Sequence, residues 1–217
     1  MSATMKLFSP LLQRIGYADY PSHCNVSNAN QQTIDFIRTT KCRVIAELGI
    51  YKGFTSEKLA EYLGGEGELH LFDFEERVAE VTAKLKAKGY HNIVGHSNSH
   101  KIMDSYNWSL MQVLKAHPTP LYDYVFLDGA HTWNVDALAF TLIDRLLKVG
   151  GFMDFDDYDW SLERSPTLNP KVFPRTRKLY TDEQIRQQHV RLILDVLVKR
   201  DPRYKEVVEN KIYQKIG

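Results

Sequence analysis

The sequence predicts one α/β domain with a mostly parallel central sheet, helices on both faces and an antiparallel hairpin at the C-terminal end. Apolar runs of strand length alternate with helical patterns from about residue 30 to residue 155, which is typical of a parallel sheet. The chain has 217 residues, 43% of them hydrophobic, and is long enough to bury a substantial core in a single domain. Two short segments around Glu209-Asn210 indicate the hairpin.

The first elements form a βαβ unit preceded by a helix. Gly49 and Gly53 interrupt the first apolar run, and a glycine-rich turn around Glu66 separates the next helix from the following strand. We predict a helix around residues 34–37 capped by Ser27 or Asn28, a strand over 42–48, a helix ending near residue 63 and capped by Thr55 or Ser56, and a strand over 68–72.

The rest of the chain continues the alternation and then changes character. Pro166, Pro170 and Pro174 follow one another too closely for regular structure, so we expect a surface loop over 161–177. The other predicted elements are a helix over 75–88, strands over 92–94 and 122–127, a helix over 133–147 ended by Gly150-Gly151, a strand over 152–155, a helix over 182–199, and hairpin strands over 205–208 and 211–216.

Composition narrows the class of partner. The 28 Lys and Arg residues balance the 27 Asp and Glu residues, so we expect no broad basic surface and no nucleic-acid partner. No apolar run is long enough to span a bilayer, and a signal-peptide core is missing from the first residues. Cys24 and Cys42 have no metal-type spacing. We expect a cytoplasmic protein that acts on a small molecule and has no membrane partner; a homo-oligomer is left open.

Residues 47–56 form a glycine-containing turn between a predicted strand and a predicted helix. Open α/β sheets bind ligands at such turns, beyond the carboxyl ends of their strands. Gly49 and Gly53 permit close approach of a ligand to the backbone, and Thr55 at the helix start offers a donor to a carboxylate. Asp73 ends the second strand, where an acidic side chain accepts hydrogen bonds from ribose hydroxyls. An ordinary βα turn and a solvated aspartate are the alternative interpretations.

This turn resembles the first motif of class I methyltransferases of the catechol and caffeoyl-CoA O-methyltransferase type. That motif begins with an acidic residue, here Glu47, and separates two glycines by three residues, whereas dehydrogenases carry G-x-G-x-x-G. The resemblance implies a Rossmann-like class I methyltransferase fold and S-adenosylmethionine as cofactor. It implies that the cofactor contacts Glu47, Gly49, Tyr51, Gly53, Thr55, Asp73 and Asp128, with Ser97 and Asn98 beside the adenine.

Three aspartates follow two other predicted strands. Asp128 ends the fourth strand, and Asp156-Asp157 end the fifth. Because parallel strands present their carboxyl ends at one edge of the sheet, we expect these side chains to converge. Converging carboxylates repel one another, and a hard divalent cation such as Mg²⁺ relieves that repulsion with oxygen ligands. A metal-free acidic edge whose aspartates cap turns is the alternative.

The aspartates resemble the metal ligands of catechol-type and macrocin-type O-methyltransferases, and the resemblance implies that Asp128, Asp156 and Asp157 hold Mg²⁺ or another divalent cation. Catechol-type enzymes place Asn at the position of Asp157 and a catalytic Lys at that of His131. Macrocin-type enzymes have paired acids, but their acidic base lies at the position of Ala130. His131 is therefore the predicted general base, with a side chain that titrates near neutral pH. A hydrogen-bonding histidine at a helix start is the alternative.

The resemblance predicts an S-adenosylmethionine-dependent O-methyltransferase, assisted by a divalent metal, that methylates a hydroxyl of a small acceptor such as a sugar or glycosylated natural product. The alternatives are a metal-independent methyltransferase that uses His131, and a non-catalytic nucleotide-binding module. Within the single domain 1–217, we predict an N-terminal extension or lid over 1–26, a cofactor and metal core over 27–160, an acceptor-side loop over 161–180, and a C-terminal helix and hairpin over 181–217.

Overall fold

The computed structural model of the protein describes residues 28–217. The predicted extension or lid over 1–26, and Ser27 as a helix cap, lie outside the described residues. In the described part no helix is long and apolar enough to cross a membrane. The cytoplasmic location stays a prediction.

Helices and strands alternate through most of the described chain. In order they are α1 Gln31–Ile37, β1 Val44–Leu48, α2 Phe54–Leu63, β2 Glu68–Phe74, α3 Glu75–Ala87, β3 Ile93–Asn98, α4 Tyr106–Ala116, β4 Tyr122–Leu127, α5 Trp133–Leu146, β5 Leu147–Phe155, α6 Thr176–Leu179, α7 Asp182–Arg186, α8 His189–Ile193, a π-helical turn Leu194–Val198, β6 Tyr204–Val208 and β7 Ile212–Lys215.

The strands form one mixed sheet in the order β3-β2-β1-β4-β5-β7-β6. The first five strands are parallel, while β7 pairs antiparallel with both β5 and β6. The predicted Rossmann-like fold with its C-terminal antiparallel hairpin is thereby confirmed. The strand order reverses between β1 and β4, which opens a crevice at the carboxyl ends of these two strands.

Two apolar layers cover the faces of the sheet. On one face Leu110 of α4 and Ile143 of α5 are buried with side chains of β4 and β5. On the other face Ile34 of α1, Leu59 of α2 and Val81 of α3 are buried against β1 and β2. Because helices cover both faces, polar ligands have access to the sheet at the ends of its strands.

The predicted helix caps at the start of the fold are wrong. The N-cap of α1 is Asn30 rather than Ser27 or Asn28, since its side-chain oxygen accepts the N–H of Thr33. Helix α2 begins after Gly53, whose left-handed backbone turns the chain without a side-chain cap. Thr55 and Ser56 therefore lie inside the first turn of α2.

Three further element predictions need correction. Helix α4 was not predicted, because exposed Trp108 and Met111 obscure the apolar period set by Tyr106, Leu110 and Val113. Gly150 and Gly151 lie within β5, which begins directly after α5 ends. The helix predicted over 182–199 is divided, because Gln187 and Gln188 have extended backbones and Gln188 pairs with Ser161.

The segment predicted as a surface loop over 161–177 consists mainly of turns and ends in α6. It is held by internal hydrogen bonds, among them Thr176 Oγ1 to the Leu168 carbonyl at 2.6 Å, and it buries Ser161, Leu162 and Ser165. Its polar backbone is therefore satisfied without regular structure.

Candidate active site

The turn after β1 packs directly against the end of β4. Asp128 N–H donates to the Leu48 carbonyl at 2.8 Å, and Gly49 has a φ of +86°. A Cβ added at Gly49 would lie 2.0 Å from the Asp128 carbonyl oxygen. Glycine is required here both by backbone conformation and by this close approach. The glycine-containing turn and the segment that begins with Asp128 are therefore in direct backbone contact.

Asp73 determines the shape of the same turn. Its carboxylate accepts the backbone N–H groups of Ile50 at 2.8 Å, Tyr51 at 3.2 Å and Phe74 at 2.7 Å. These bonds hold Tyr51 at a φ of +45°, a conformation that a bulky residue adopts rarely. Asp73 is thus a structural part of the predicted cofactor site, and its contact with a ribose stays a prediction.

Two predicted cofactor residues carry buried oxygen atoms without a hydrogen-bond partner in the described structure, Glu47 Oε2 and Asn98 Oδ1. Glu47 is 2% exposed, and burial raises the pKa of its carboxyl to about 8, with Asp73 adding a like charge. An unsatisfied buried acceptor costs free energy unless a ligand supplies a donor. A ligand with donor groups at these two places would remove that cost.

Thr55 and Ser97 complete the predicted cofactor set. The Thr55 hydroxyl accepts the backbone N–H of Asn30 at 3.0 Å and keeps its own hydrogen for donation. Ser97 lies at the end of β3 with an exposed side chain, and its carbonyl accepts the Ser109 hydroxyl at 3.2 Å. The structure places the predicted cofactor residues at the carboxyl ends of β1 to β4, in the turn after β1 or in the first turn of α2.

The structure brings Asp128, His131 and Asp157 together. His131 Nε2 lies 3.6 Å from Asp128 Oδ1 and 3.5 Å from Asp157 Oδ2. One ligand atom from each of the three residues lies within 4.8 Å of the other two. Burial raises the pKa of Asp128, and the charges of Asp156, Asp157 and Glu47 raise it further. Burial also raises the pKa of Asp157, although His131 opposes that shift.

Asp156, the other predicted metal ligand, has different partners. Its Oδ1 accepts Asn30 Nδ2 at 2.9 Å and lies 3.5 Å from Lys211 Nζ. Lys211 is almost completely buried and forms a 2.9 Å ion pair with Asp154. The structure thus draws Asp156 toward a lysine, while Asp128 and Asp157 face His131.

Backbone strain is concentrated at this edge. Four non-glycine residues of the described chain have positive φ, namely Tyr51, His131, Asp157 and Asn210. Asn210 occupies the β6–β7 turn, where such a conformation is ordinary. The other three belong to the predicted site, and strained residues of this kind persist where surrounding contacts fix a functional geometry.

Sequence reasoning did not identify the residues that support the Asp128–His131 segment. Tyr106 of α4 accepts the Ala130 N–H at 3.1 Å and donates a short hydrogen bond to buried Asp136 of α5. A Cβ on Gly129 would collide with the Tyr106 ring. Because α4 was not predicted, nothing in the sequence analysis placed Tyr106 beneath this segment.

Aromatic residues adjoin the acidic edge, which consists of Asp128, Asp156 and Asp157 at the ends of β4 and β5. The Trp160 ring centroid lies 5.5 Å from that of His131, and Trp133 is exposed at the start of α5. The Tyr158 ring is covered by the guanidinium of Arg191 at 4.6 Å. The Trp160 ring is therefore the aromatic surface that the structure places next to the His131 imidazole.

Solved structures with the same fold include O-methyltransferases. TomG of Streptomyces achromogenes, an O-methyltransferase involved in tomaymycin synthesis and solved with SAM, has a TM-score of 0.61 and 18% identity, with 100% of this chain and 91% of that chain covered. An O-methyltransferase of Bacillus cereus solved with SAH has a TM-score of 0.61 and 16% identity, covering 100% and 92%. A putative rRNA methylase of Clostridium thermocellum has a TM-score of 0.58 and 14% identity, covering 89% and 99%. These likenesses establish the fold.

Sequence comparisons identify the family. An uncharacterised protein of Acanthamoeba polyphaga mimivirus is 27% identical over 146 residues, which are 64% of this chain, and the chain spans 59% of the length of that relative. The model of a methyltransferase domain family matches residues 46–158, a range that holds the glycine turn and all three aspartates. This match spans more than half of the chain, which therefore belongs to the methyltransferase domain family.

Proposed function

We propose that the protein is an S-adenosylmethionine-dependent O-methyltransferase that uses a divalent cation to activate a hydroxyl group of a small acceptor. The observation that carries this proposal is the direct backbone contact between the Gly49 turn and Asp128. It supports a cofactor at the Gly49 turn next to a cation at the aspartates. The family match supports methyl transfer. Two solved O-methyltransferases with the same fold, TomG with SAM and the Bacillus cereus protein with SAH, support the cofactor.

The residues of the turn fit the proposed cofactor. S-adenosylmethionine supplies the methyl group and carries an ammonium, a carboxylate, ribose hydroxyls and an adenine amino group. The buried Glu47 and Asn98 oxygens without partners suit the donor groups, and the free hydrogen of Thr55 suits the carboxylate. We assign the cofactor to Glu47, Gly49, Tyr51, Gly53, Thr55, Asp73, Ser97, Asn98 and Asp128.

The acidic edge fits a cation that activates the acceptor. The charges of Asp156 and Asp157 raise the pKa of Asp128, and the charge of Asp156 raises the pKa of Asp157; a bound cation relieves that repulsion. A divalent ion supplies Lewis-acid stabilisation of an acceptor oxygen as it loses its proton. The Asp128 and Asp157 carboxylates would hold that ion and orient the acceptor toward the cofactor.

A second mechanism needs no cation. His131 Nε2 lies between two carboxylate oxygens at 3.5 and 3.6 Å, and these charges would stabilise an imidazolium after His131 accepts the acceptor proton. This arrangement supports the general-base role predicted for His131. The metal-assisted mechanism is nevertheless the main proposal, because Asp128, Asp156 and Asp157 lie close enough to interact and a divalent cation offers two positive charges to such a group, where one imidazolium offers one.

The surroundings of the edge support a small acceptor. Trp160 provides apolar surface beside His131, and exposed Trp133 begins α5 two residues after His131. Aromatic surface of this kind suits a sugar ring or a glycosylated natural product; phenolic acceptors are the next class. The balanced charge of the chain supports a small acceptor over a nucleic acid. In this proposal residues 27–160 of the single domain hold cofactor and cation, 161–180 face the acceptor, and 181–217 complete the sheet.

We expect the wild-type protein to bind S-adenosylmethionine and its demethylated product in isothermal titration calorimetry, and Gly49→Ala to abolish binding. The added Cβ would collide with the Asp128 carbonyl. Gly89→Ala is the matched control, because Gly89 also has a positive φ but no atom lies within 4 Å of the added Cβ. Should Gly49→Ala fail to fold, Thr55→Ala removes only a hydroxyl and should weaken binding roughly tenfold. A folded wild-type protein that binds neither ligand would refute the cofactor assignment.

The buried Glu47 carboxyl predicts a pH-dependent loss of stability. Its pKa is about 8 in the folded protein against an ordinary value of 4.5. Between these values the unfolded chain ionises first, so the ligand-free protein should lose stability as the pH rises from 4.5 to 8. Glu47→Gln cannot ionise and should avoid that loss, a difference on the order of 4 kcal/mol at pH 8.

Urea unfolding from pH 5 to pH 8 measures this difference. Glu80→Gln, which alters an exposed carboxyl on α3, serves as the control and should follow the wild type. Glu47→Gln should also bind S-adenosylmethionine more weakly. If the free energies of unfolding of the wild type and Glu47→Gln keep a constant difference across this range, Glu47 is not a buried group with a raised pKa.

Activity distinguishes the two mechanisms. Methyl transfer from radiolabelled S-adenosylmethionine to a panel of sugars, glycosides and catechols should identify an acceptor. With that acceptor, EDTA should abolish transfer, a divalent cation should restore it, and Asp157→Ala should lose most of the rate while still binding the cofactor. Full activity of a protein freed of metal by exhaustive EDTA treatment would instead establish the His131 mechanism.

A further inference from the structure

We propose that Asp128, His131 and Asp157 are the cation ligands of this chain, that Asp156 is held outside the ligand set, and that the imidazole selects a transition-metal ion such as Mn²⁺, Co²⁺ or Zn²⁺ over Mg²⁺. This inference rests on the metal-assisted function proposed above. It replaces one of the three aspartates with a nitrogen donor, and it gives His131 a role other than that of general base.

The distances around His131 are those of neighbouring ligands. Its Nε2 lies 3.6 Å from Asp128 Oδ1 and 3.5 Å from Asp157 Oδ2, which is longer than an ordinary N–H···O hydrogen bond of about 2.7–3.2 Å. Two atoms that each lie about 2.1 Å from one ion are separated by about 3.0 Å in octahedral and about 3.4 Å in tetrahedral geometry. The two His131 distances are therefore already close to those of ligands that share an ion, and all three ligand atoms lie within 4.8 Å of one another.

Asp156 already has polar partners other than His131. Asn30 Nδ2 donates to its Oδ1 at 2.9 Å, and Lys211 Nζ lies 3.5 Å from the same oxygen. Lys211 is 8% exposed and is fixed by the 2.9 Å ion pair with Asp154 and by a hydrogen bond to the Phe155 carbonyl. Turning Asp156 toward a cation would strip a buried lysine of one counter-charge, which is costly in a low-dielectric interior.

Direct contact with a lysine or arginine is confined to one side of the edge. Lys211 contacts Asp154 and Asp156, whereas in the described structure no lysine or arginine forms an ion pair with Asp128 or Asp157. Lys211 acts on these two aspartates only from a greater distance, and their pKa values remain raised by burial and by neighbouring carboxylates. A cation bound between Asp128 and Asp157, beside His131, would supply the direct contact that Lys211 does not make with them.

The donor set determines which cations fit. Mg²⁺ is bound through carboxylates and water and loses its water reluctantly. Imidazole nitrogen suits zinc and the other later first-row ions, whose affinity for a given site rises from Mn²⁺ toward Cu²⁺. Two carboxylates and one imidazole leave open positions for water and an acceptor oxygen, which a catalytic site needs.

Pulsed electron paramagnetic resonance of Mn²⁺ added to the full chain tests this ligand set. The wild type should show the nitrogen modulation of a directly bound imidazole. His131→Gln should lose the modulation and bind Mn²⁺ more than about tenfold more weakly, whereas Asp156→Asn should keep the modulation and change the affinity less than about threefold. His100→Gln is the matched control, because His100 is 59% exposed and pairs with Glu76 on a different part of the surface. Competition should show Mg²⁺ displacing Mn²⁺ poorly from the wild type and more readily from His131→Gln.

Two results would overturn the proposal and leave the three-aspartate set. One is bound Mn²⁺ without nitrogen modulation, and the other is loss of Mn²⁺ binding in Asp156→Asn but not in His131→Gln. A wild type that binds none of these cations would overturn both this ligand set and the metal-assisted mechanism. Calorimetry with S-adenosylmethionine on the same samples separates these results from failure of the cofactor assignment. His131→Gln should retain cofactor binding, so loss of cofactor from that variant would also count against a role confined to the cation.

Discussion

The backbone contact between the turn after β1 and the end of β4 is the constraint on which the candidate site depends. Asp128 N–H donates to the Leu48 carbonyl, and the absence of a side chain at Gly49 allows the Asp128 carbonyl to approach. Asp73 then shapes the turn by accepting three backbone N–H groups. Because of this packing, residues that suit a methyl donor and residues that suit a cation lie next to each other without a flexible connection.

Electrostatics gives the same edge its chemical character. Asp128, Asp156 and Asp157 bring acidic side chains together at the crevice. Buried Lys211 contacts Asp154 and Asp156 directly and acts on Asp128 and Asp157 from a greater distance. Supporting residues such as Tyr106 and Asn30 fix the segments that carry these charges. The site thus holds its carboxylates in place before any ligand arrives, which lowers the reorganisation needed for catalysis.

Features that depend on residues close together in the chain could be predicted from the sequence. The Glu47–Thr55 motif and the aspartates at strand ends are local patterns, and strand alternation gave the sheet. Contacts between distant residues were not predictable in this way. Asn30 and Asp156 are 126 residues apart. Lys211 belongs to the C-terminal hairpin, and no spacing rule predicts that this hairpin lies beside β5. Likewise, exposed Trp108 and Met111 hid the apolar period of α4, so the contact of Tyr106 with the Ala130 segment was not predicted.

Anomalous X-ray scattering from a crystal grown with S-adenosylhomocysteine and Mn²⁺ would locate both ligands relative to the contact between the Gly49 turn and Asp128. We expect S-adenosylhomocysteine over the Gly49 turn, and an Mn²⁺ peak between Asp128 and Asp157 beside the sulfur. A peak elsewhere in the molecule, or a Gly49 turn that remains free of S-adenosylhomocysteine at saturating concentration, would refute the proposed site.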